Sequence, residues 1–445
     1  MITQDQQRDW AQQLVAAAAT TGVAVAQSDW MGAAREAAVQ ALATLPLLDR
    51  KQEAWRYTRI DSLLEEQFLP AADAPEVSTA TLNGCLLPAC EAWRLVFANG
   101  RFMPRLSNLH DLPAGAQLCS LRQALTTNPA QLATWFGRSA QHGGHLFTAL
   151  NTALANDGVY LNIENGVQLE RPIEVIYFNQ CPDAPLLLQP RSLVVLGSDA
   201  KATLIERFIS PDQSVYFHNT LTEIELGAGA ALSHYRMQDE SRRAYHLGSL
   251  YLQQQQHSRY HGTTLAFGGR WARTEYQTSF REEGAECALN GLYTVGDQQL
   301  NDFHLDVRHS VPGCTSREQF RGVLYGKGRA VFDGRILVEK QAQHSDAVLT
   351  NDNLVLSRDA EVDTKPQLEI HADDVKCSHG TTVGQLDPQQ VYYLRSRGID
   401  AVTARKMLCL GFAGEVLDTI DVTVLRDLAA NRLVEILGSA VTAVE

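Results

Sequence analysis

The pattern of hydrophobic and polar residues divides the chain into four segments. Over residues 1–70 apolar side chains recur every three or four positions, which is the period of an α-helix and predicts an N-terminal helical domain. Residues 71–157 mix strand and helix patterns, and we interpret them as a linking segment that begins at a break rich in Pro and Ala. Residues 158–384 alternate with a period of two, and residues 385–445 return to the helical period as a C-terminal helical domain.

The segment 158–384 consists of short predicted strands that are separated by turn signals. Val159 and Leu161 alternate with polar residues, and turns such as Asn165–Gly166 and Lys327–Gly328 separate strands of this kind. Several intervals between turns are about 30 residues long, which is typical of stacked coils or of a sandwich. The pattern predicts a mainly β core and leaves the choice between a parallel β-helix and a sandwich open.

The C-terminal segment carries signals for the ends of helices. Asp387 followed by Pro388 predicts an N-cap and a first helical residue, and Gly398 suits the left-handed position after a helix. Asp400 and Asp421 are predicted to cap two further helices. Three helices are therefore expected after the β segment.

Composition and charge exclude several classes of protein. Hydrophobic residues make up 45% of the 445 residues, so disorder is excluded for most of the chain. The net charge of -13, with no basic run, argues against nucleic-acid binding. The eight cysteines are widely spaced without a CxxC motif, which indicates a reducing cytoplasm, and no apolar run is long enough to span a membrane.

Motifs for familiar catalytic chemistry are missing or incomplete. Gly322–Gly328 superficially resembles a phosphate-binding loop, but its spacing is short and no Ser or Thr follows Lys327, so we expect the chain to bind no nucleotide. His142 and His145 lack the third ligand that a metal site needs. His304 and His309, which flank a strand, are interpreted as solvated positions.

The most specific local signal is Asp374–Gly380, just before the β pattern ends. In a strand, Cys377 and His379 would lie on one face, so that a thiol and an imidazole could bind iron or zinc side by side. Lys376 is expected to favour the thiolate modestly. Two ligands do not complete a site, so a metal function requires a second chain. A structural cysteine and a hydrogen-bonded histidine remain the alternative.

Three segments resemble the SufB/SufD family of iron–sulfur cluster assembly proteins. They are Thr364–Gly384, Tyr393–Ile399 and the sequence KQEAWRYT at Lys51–Thr58. The residues around His379 and the lack of an N-terminal cysteine cluster are more similar to SufD-type than to SufB-type members. The resemblance extends over essentially the whole chain.

The resemblance implies a fold, partners and a role for two residues. It implies a right-handed parallel β-helix core flanked by N-terminal and C-terminal helical domains. It also implies pairing with a SufB-like paralogue, a possible homodimer in its absence, and a SufC-like ATPase bound through the C-terminal helices. His379, with Cys377 beside it, would contribute to a transient iron–sulfur cluster shared with a partner cysteine.

These implications make the chain a non-catalytic scaffold in a SufBCD-type complex that builds nascent clusters and delivers them to apo-proteins. A SufB-like subunit that carries the main cluster ligands is one alternative. A β-helix enzyme acting on carbohydrates is another, because such enzymes gather carboxylates on an outer groove.

Overall fold

The computed structural model describes residues 3–20, 29–71, 77, 81–82, 84–87, 90–140, 144–180, 184–211 and 213–442. Its centre is a parallel β-solenoid of about seven turns, with helices at both ends of the chain. The predicted β-helix core with flanking helices is therefore confirmed, and the sandwich is not the fold.

The strands occupy most of the chain between residues 93 and 384. In chain order they are β1 (Leu69–Pro70), β2 (Trp93–Ala98), β3 (Arg101–Phe102), β4 (Ala116–Ser120), β5 (Val159–Ile163), β6 (Ile173–Phe178), β7 (Leu186–Leu188), β8 (Arg191–Leu196), β9 (Lys201–Ile209), β10 (Tyr216–Leu226), β11 (Ala231–Asp239), β12 (Tyr245–Gln254), β13 (Arg259–Ala266), β14 (Trp271–Phe280), β15 (Glu286–Val295), β16 (Leu300–His309), β17 (Thr315–Leu324), β18 (Arg329–Val338), β19 (Asp346–Val355), β20 (Glu361–Ile370) and β21 (Lys376–Gly384).

The helices lie before and after this β region, and three short ones lie within residues 121–154. They are α1 (Gln4–Thr20), α2 (Asp29–Leu42), α3 (Asp61–Leu64), α4 (Leu121–Thr127), α5 (Pro129–Trp135), α6 (Leu146–Leu154), α7 (Pro388–Ser396), α8 (Ala401–Leu417) and α9 (Thr423–Thr442). Two short 3₁₀ segments lie at Glu53–Trp55 and Pro104–Leu106.

From β8 onwards successive strands alternate between two sheets. Sheet 1 has the order β20-β18-β16-β14-β12-β10-β8-β5-β4, with β1 and β7 beside it, and sheet 2 has the order β21-β19-β17-β15-β13-β11-β9-β6-β2-β3. Each coil contributes one strand to each sheet, which explains the interval of about 30 residues in the sequence. β2 and β4 belong to these sheets although they lie in the predicted linking segment, residues 71–157.

The inner faces of the two sheets enclose a continuous hydrophobic lumen. The outer faces are covered by different parts of the chain. The N-terminal helices pack on sheet 1 around Phe217, Tyr245 and Trp271, whereas α8 and α9 pack on sheet 2 around Leu265 and Leu292. Both faces of a parallel sheet are normally buried in this way.

The segment Lys51–Thr58 attaches the N-terminal region to sheet 1. Trp55 is buried there, and its ring lies 4.0 Å from the guanidinium carbon of Arg273. The hydroxyl of Thr58 donates a hydrogen bond to Asp302 at 2.6 Å. These residues therefore have a structural role between two parts of the fold.

Two local predictions require correction, and the histidine pair His142 and His145 is placed only in part. His309 is fully buried in the lumen and lies 3.1 Å from the hydroxyl of Ser316, so it is not a solvated position. Asp421 does not cap the third helix, which begins at Thr423, because its carboxylate instead accepts a hydrogen bond from Tyr235. His145 caps α6 and pairs with Glu275 at 2.7 Å, while His142 lies outside the described residues.

The remaining helix signals are confirmed. Asp387 accepts a hydrogen bond from Gln389 at the start of α7, and Asp400 accepts one from Thr403 at the start of α8. Gly398, between these helices, has a φ of 88°. In the described part of the chain, no helix has the length and apolar character to cross a membrane.

Candidate metal-ligating site at the open end of the solenoid

The solenoid ends in a coil that no further strand covers. β20 and β21 are the last strands of sheets 1 and 2, and most of their residues are half-buried or exposed, in contrast to the buried strands before them. Val383 is 52% exposed and Ile370 is 39% exposed, although both face the lumen side of their strands. Each strand also presents an unpaired edge to solvent.

Cys377 and His379 lie on β21 two residues apart, and their side chains share the face that continues the lumen. On successive strands of sheet 2, residues Cys287, Ser316, Ala347 and Cys377 are aligned as direct neighbours and form one column across the sheet. Its thiol is half-buried against the hydrophobic core. The alternation of side chains in a strand thus brings the two predicted ligands together.

His379 is exposed at the end of the neighbouring column. The column runs from Glu318 through Leu349 to His379. Among the described residues, none makes a hydrogen bond or an ion pair with the imidazole of His379. The ring is therefore free to accept a ligand from outside the chain.

A polar network behind this coil fixes the two terminal strands relative to each other. The hydroxyls of Thr364 on β20 and Thr381 on β21 lie 3.0 Å apart. Thr364 also donates to the side chain of Asn351 at 2.9 Å, and the amide of Asn351 donates to the hydroxyl of Tyr293 at 3.1 Å. This network positions β21, and with it Cys377 and His379, without involving either side chain.

The thiol of Cys377 is held in its protonated form. Burial raises the pKa of Cys377, a backbone hydrogen bond from Ala347 lowers it, and the charges of Asp346 and Glu318 raise it further. The modest effect expected of Lys376 in favour of the thiolate is not among the causes of this shift, and the net effect favours the thiol. A metal ion would have to displace the thiol proton.

Sequence reasoning missed Glu318, which lies in the lumen two strands before His379. Burial raises the pKa of Glu318 to about 8, and hydrogen bonding to Ser316 and the charge of Arg317 offset only part of this effect. The sequence did contain a signal for it, because the alternation of side chains along β17 assigns this acidic residue to the inner face. Its carboxyl group lies close enough to the end coil to influence the thiol of Cys377.

Three carboxylates on the outer face of sheet 1 are buried in ion pairs. Glu223, Glu275 and Asp302 are buried beneath the N-terminal region, where Glu223 and Glu275 pair with Arg191 and Arg273. Asp302 pairs with Arg273 as well. These three buried carboxylates are therefore not part of an open groove of the kind used by enzymes that act on carbohydrates.

The fold and the site define a class of protein, namely a parallel β-solenoid whose open terminal coil presents a thiol and an imidazole on one face. Residues 179–412 match the family model described as "SUF system FeS cluster assembly, SufBD core domain". Residues 13–175 match the model described as "SufBD protein N-terminal region". The chain therefore belongs to the SufBD family, and its role is in iron–sulfur cluster assembly in the SUF system.

Individual relatives agree with this assignment. An iron–sulfur cluster assembly SufBD family protein of Synechocystis is 34% identical over 88% of this chain and 88% of its own length. The iron–sulfur cluster assembly protein SufD of Escherichia coli is 30% identical over 86% of this chain and 87% of its own. The chloroplastic protein ABCI7 of Arabidopsis thaliana is 27% identical over 90% of this chain and 84% of its own.

Proposed function

We propose that the chain is a SufD-type scaffold subunit that assembles nascent iron–sulfur clusters together with partner subunits and passes them to apo-proteins. The observation that carries this proposal is the open coil on which the half-buried thiol of Cys377 and the free imidazole of His379 face the same side. The cluster is cargo, and it would be held transiently between this face and thiolates of a partner. No catalytic step is assigned to the chain itself.

The partner at the open end is a homologous SufB-like chain. The exposed edges of β20 and β21 offer backbone donors and acceptors, and Ile370 and Val383 offer apolar surface. A second solenoid of similar cross-section can continue both sheets and bury these groups. A second copy of this chain can use the same edges when the paralogue is missing.

A SufC-like ATPase is proposed to dock on α7. This helix has no buried residue, and Tyr392 and Tyr393 on it are 74% and 57% exposed. A cleft of about 710 Å³ lies between α7 and the end of β19, lined by Leu356, Leu386 and Val391 among others. Exposed tyrosines beside a cleft that is lined by both apolar residues and arginines are typical of protein interfaces.

ATP hydrolysis is assigned to that partner because the glycine-rich loop of this chain is a turn between β17 and β18. The backbone amide of Lys327 donates to Asp297 at 2.6 Å, and that of Gly326 donates to Ser357 at 2.9 Å. A phosphate would have to displace these acceptors and approach the carboxylate of Asp297. The seven described cysteines are free thiols, which supports function in a reducing cytoplasm.

The test of the proposal is the variant His379→Ala. Within the described residues the exposed imidazole makes no hydrogen bond or ion pair, so the variant should fold and form the complex normally but support little cluster biogenesis. Activity of cluster-dependent enzymes in cells with this variant as the sole copy measures the effect, and co-purification of partner subunits measures the complex. We expect Cys377→Ala to have a milder effect.

Ser378→Ala is the matched control, because Ser378 is exposed on the opposite face of the same strand. It should behave like the wild type. Full complementation by His379→Ala would contradict the proposal, and so would a defect that comes from loss of the complex.

A further inference from the structure

A second group of metal-ligating side chains lies inside the solenoid, away from the open end. His218 and His246 are direct partners on the adjacent strands β10 and β12, and Glu240 follows β11 on the opposite sheet. All three side chains are buried. β12 lies four strands before β20, which corresponds to roughly 19 Å at about 4.8 Å per strand, so the group is separate from Cys377 and His379.

The carboxylate of Glu240 lies between the two imidazoles. Its oxygens are 3.1 Å from Nδ1 of His218 and 2.8 Å from Nδ1 of His246. One ligand atom from each residue lies within 4.8 Å of the other two. Bonds of ~2.1 Å to a metal ion would place neighbouring ligand atoms ~3.4 Å apart. The two distances between carboxylate and imidazole, 3.1 and 2.8 Å, are close to that spacing.

The charges around the group leave one carboxylate without a matching cation. The inward-facing charged residues of β9–β12 and the turn after β11 are Glu206, Arg236 and Glu240. Arg236 pairs with Glu206 at 3.1 Å. When both histidines are neutral, Glu240 is therefore a buried and uncompensated negative charge, which is costly. A divalent cation or a proton on an imidazole must balance it.

The surroundings are suited to a metal ion. Nε2 of His218 is buried without a hydrogen-bond partner among the described residues. The amide of Gln238 donates to Glu240 at 3.0 Å, as the supporting groups of metal ligands commonly do. Phe208 closes the space, with its ring 4.8 Å from that of His246. Two imidazoles and one carboxylate form a donor set that suits zinc or iron(II).

We propose that His218, Glu240 and His246 bind one divalent first-row transition cation in the lumen. The ion is structural: it neutralises Glu240 and links the two sheets. Because the site is buried, the ion enters during folding and exchanges slowly afterwards. The proposal does not depend on the role of the terminal coil.

The experiment uses the full chain with Cys377→Ala and His379→Ala, so that the terminal coil cannot contribute metal. This protein is unfolded in chelator, refolded with or without Zn²⁺, dialysed and measured for zinc by mass spectrometry and for Tm. We expect about one equivalent of zinc and a higher Tm after refolding with zinc. Adding His246→Gln should abolish both the bound zinc and the shift in Tm.

His234→Gln is the matched control, because His234 is an equally buried lumen histidine that pairs with Glu206 at 3.0 Å without a second imidazole on that carboxylate. It should retain the zinc. A parent protein that binds no zinc and shows no change in Tm would overturn the proposal, as would zinc retained by His246→Gln. Should His246→Gln fail to fold, the zinc content and Tm of the parent protein decide the question.

Discussion

At the scale of single residues, the lumen contains ionisable side chains whose environment changes their chemistry. Burial raises the pKa of Glu318 to about 8, from an ordinary value of 4.5. Burial also lowers the pKa of His309 to about 4, from 6.5. Both residues are therefore mostly uncharged at neutral pH, which makes their burial tolerable. The same physics, burial, raises the pKa of Cys377 and keeps its thiol protonated.

Glu318→Gln is predicted to remove part of the pH dependence of stability. The folded pKa of Glu318 lies above its unfolded value, so its contribution to the free energy of unfolding is fully present below pH 4.5 and is lost as the pH rises towards 8. Relative to the wild type, the free energy of unfolding of the variant should rise by about 4 kcal/mol between pH 5 and pH 8.5. Urea unfolding at a series of pH values measures this difference.

Glu286→Gln is the control for this prediction, because Glu286 is exposed on the neighbouring strand β15. The free energy of unfolding of Glu286→Gln should change with pH in parallel with that of the wild type. Parallel profiles for Glu318→Gln and the wild type would show that Glu318 has an ordinary pKa.

At the scale of elements, the strands differ in how tightly their inward-facing side chains are packed in the lumen. A Cβ added at Gly291 on β15 would lie 2.2 Å from the ring of Phe320, whereas one added at Gly380 on β21 would have no atom within 4 Å. Interior coils are thus close-packed, while the last coil has space above it. This difference is what makes β21 available to a partner.

Gly291→Ala is predicted to destabilise the isolated chain by about 2 kcal/mol, because the added methyl group forces the ring of Phe320 to move. Gly380→Ala should leave the free energy of unfolding nearly unchanged. Thermal and urea unfolding of the two variants test the comparison. Equal stability of both variants would contradict the difference in packing between the interior and the end coil.

At the scale of the whole molecule, the C-terminal helices divide into two groups. α8 and α9 supply buried residues such as Cys409 and Leu433 to the core on sheet 2, so removing them would expose that sheet. α7 contributes no buried residue. Only α7 and its cleft can therefore be altered without damage to the core, and they are the appropriate place to test partner binding.

Tyr392→Ala combined with Tyr393→Ala is predicted to weaken retention of the ATPase at least tenfold while leaving Tm unchanged, because two large exposed rings are removed from the proposed interface. Co-purification and titration with the purified ATPase measure the loss. Val39→Ala, at an apolar position on α2 that is 39% exposed, is the control and should bind normally. Unchanged binding by the double variant would place the interface elsewhere.

The sequence alone predicted a mainly β core with helical ends and named Cys377 and His379 as candidate site residues. The period of two, the turn signals and the caps Asp387 and Asp400 depend on local backbone chemistry, which can be read without the fold. The same alternation placed Cys377 and His379 on one face of a strand. The resemblance at Thr364–Gly384 also indicated the family, because this motif is specific enough to identify the family without coordinates.

Only the tertiary structure decided which residues face solvent and which charges meet. His309 and Glu318 lie in the lumen because consecutive coils stack above them, and His218 meets Glu240 and His246 because strands of both sheets converge there. Such contacts join residues that are far apart in sequence, so no local pattern encodes them. The exposure of β21 is likewise a property of the stack, since a strand becomes an open end only when no further coil covers it.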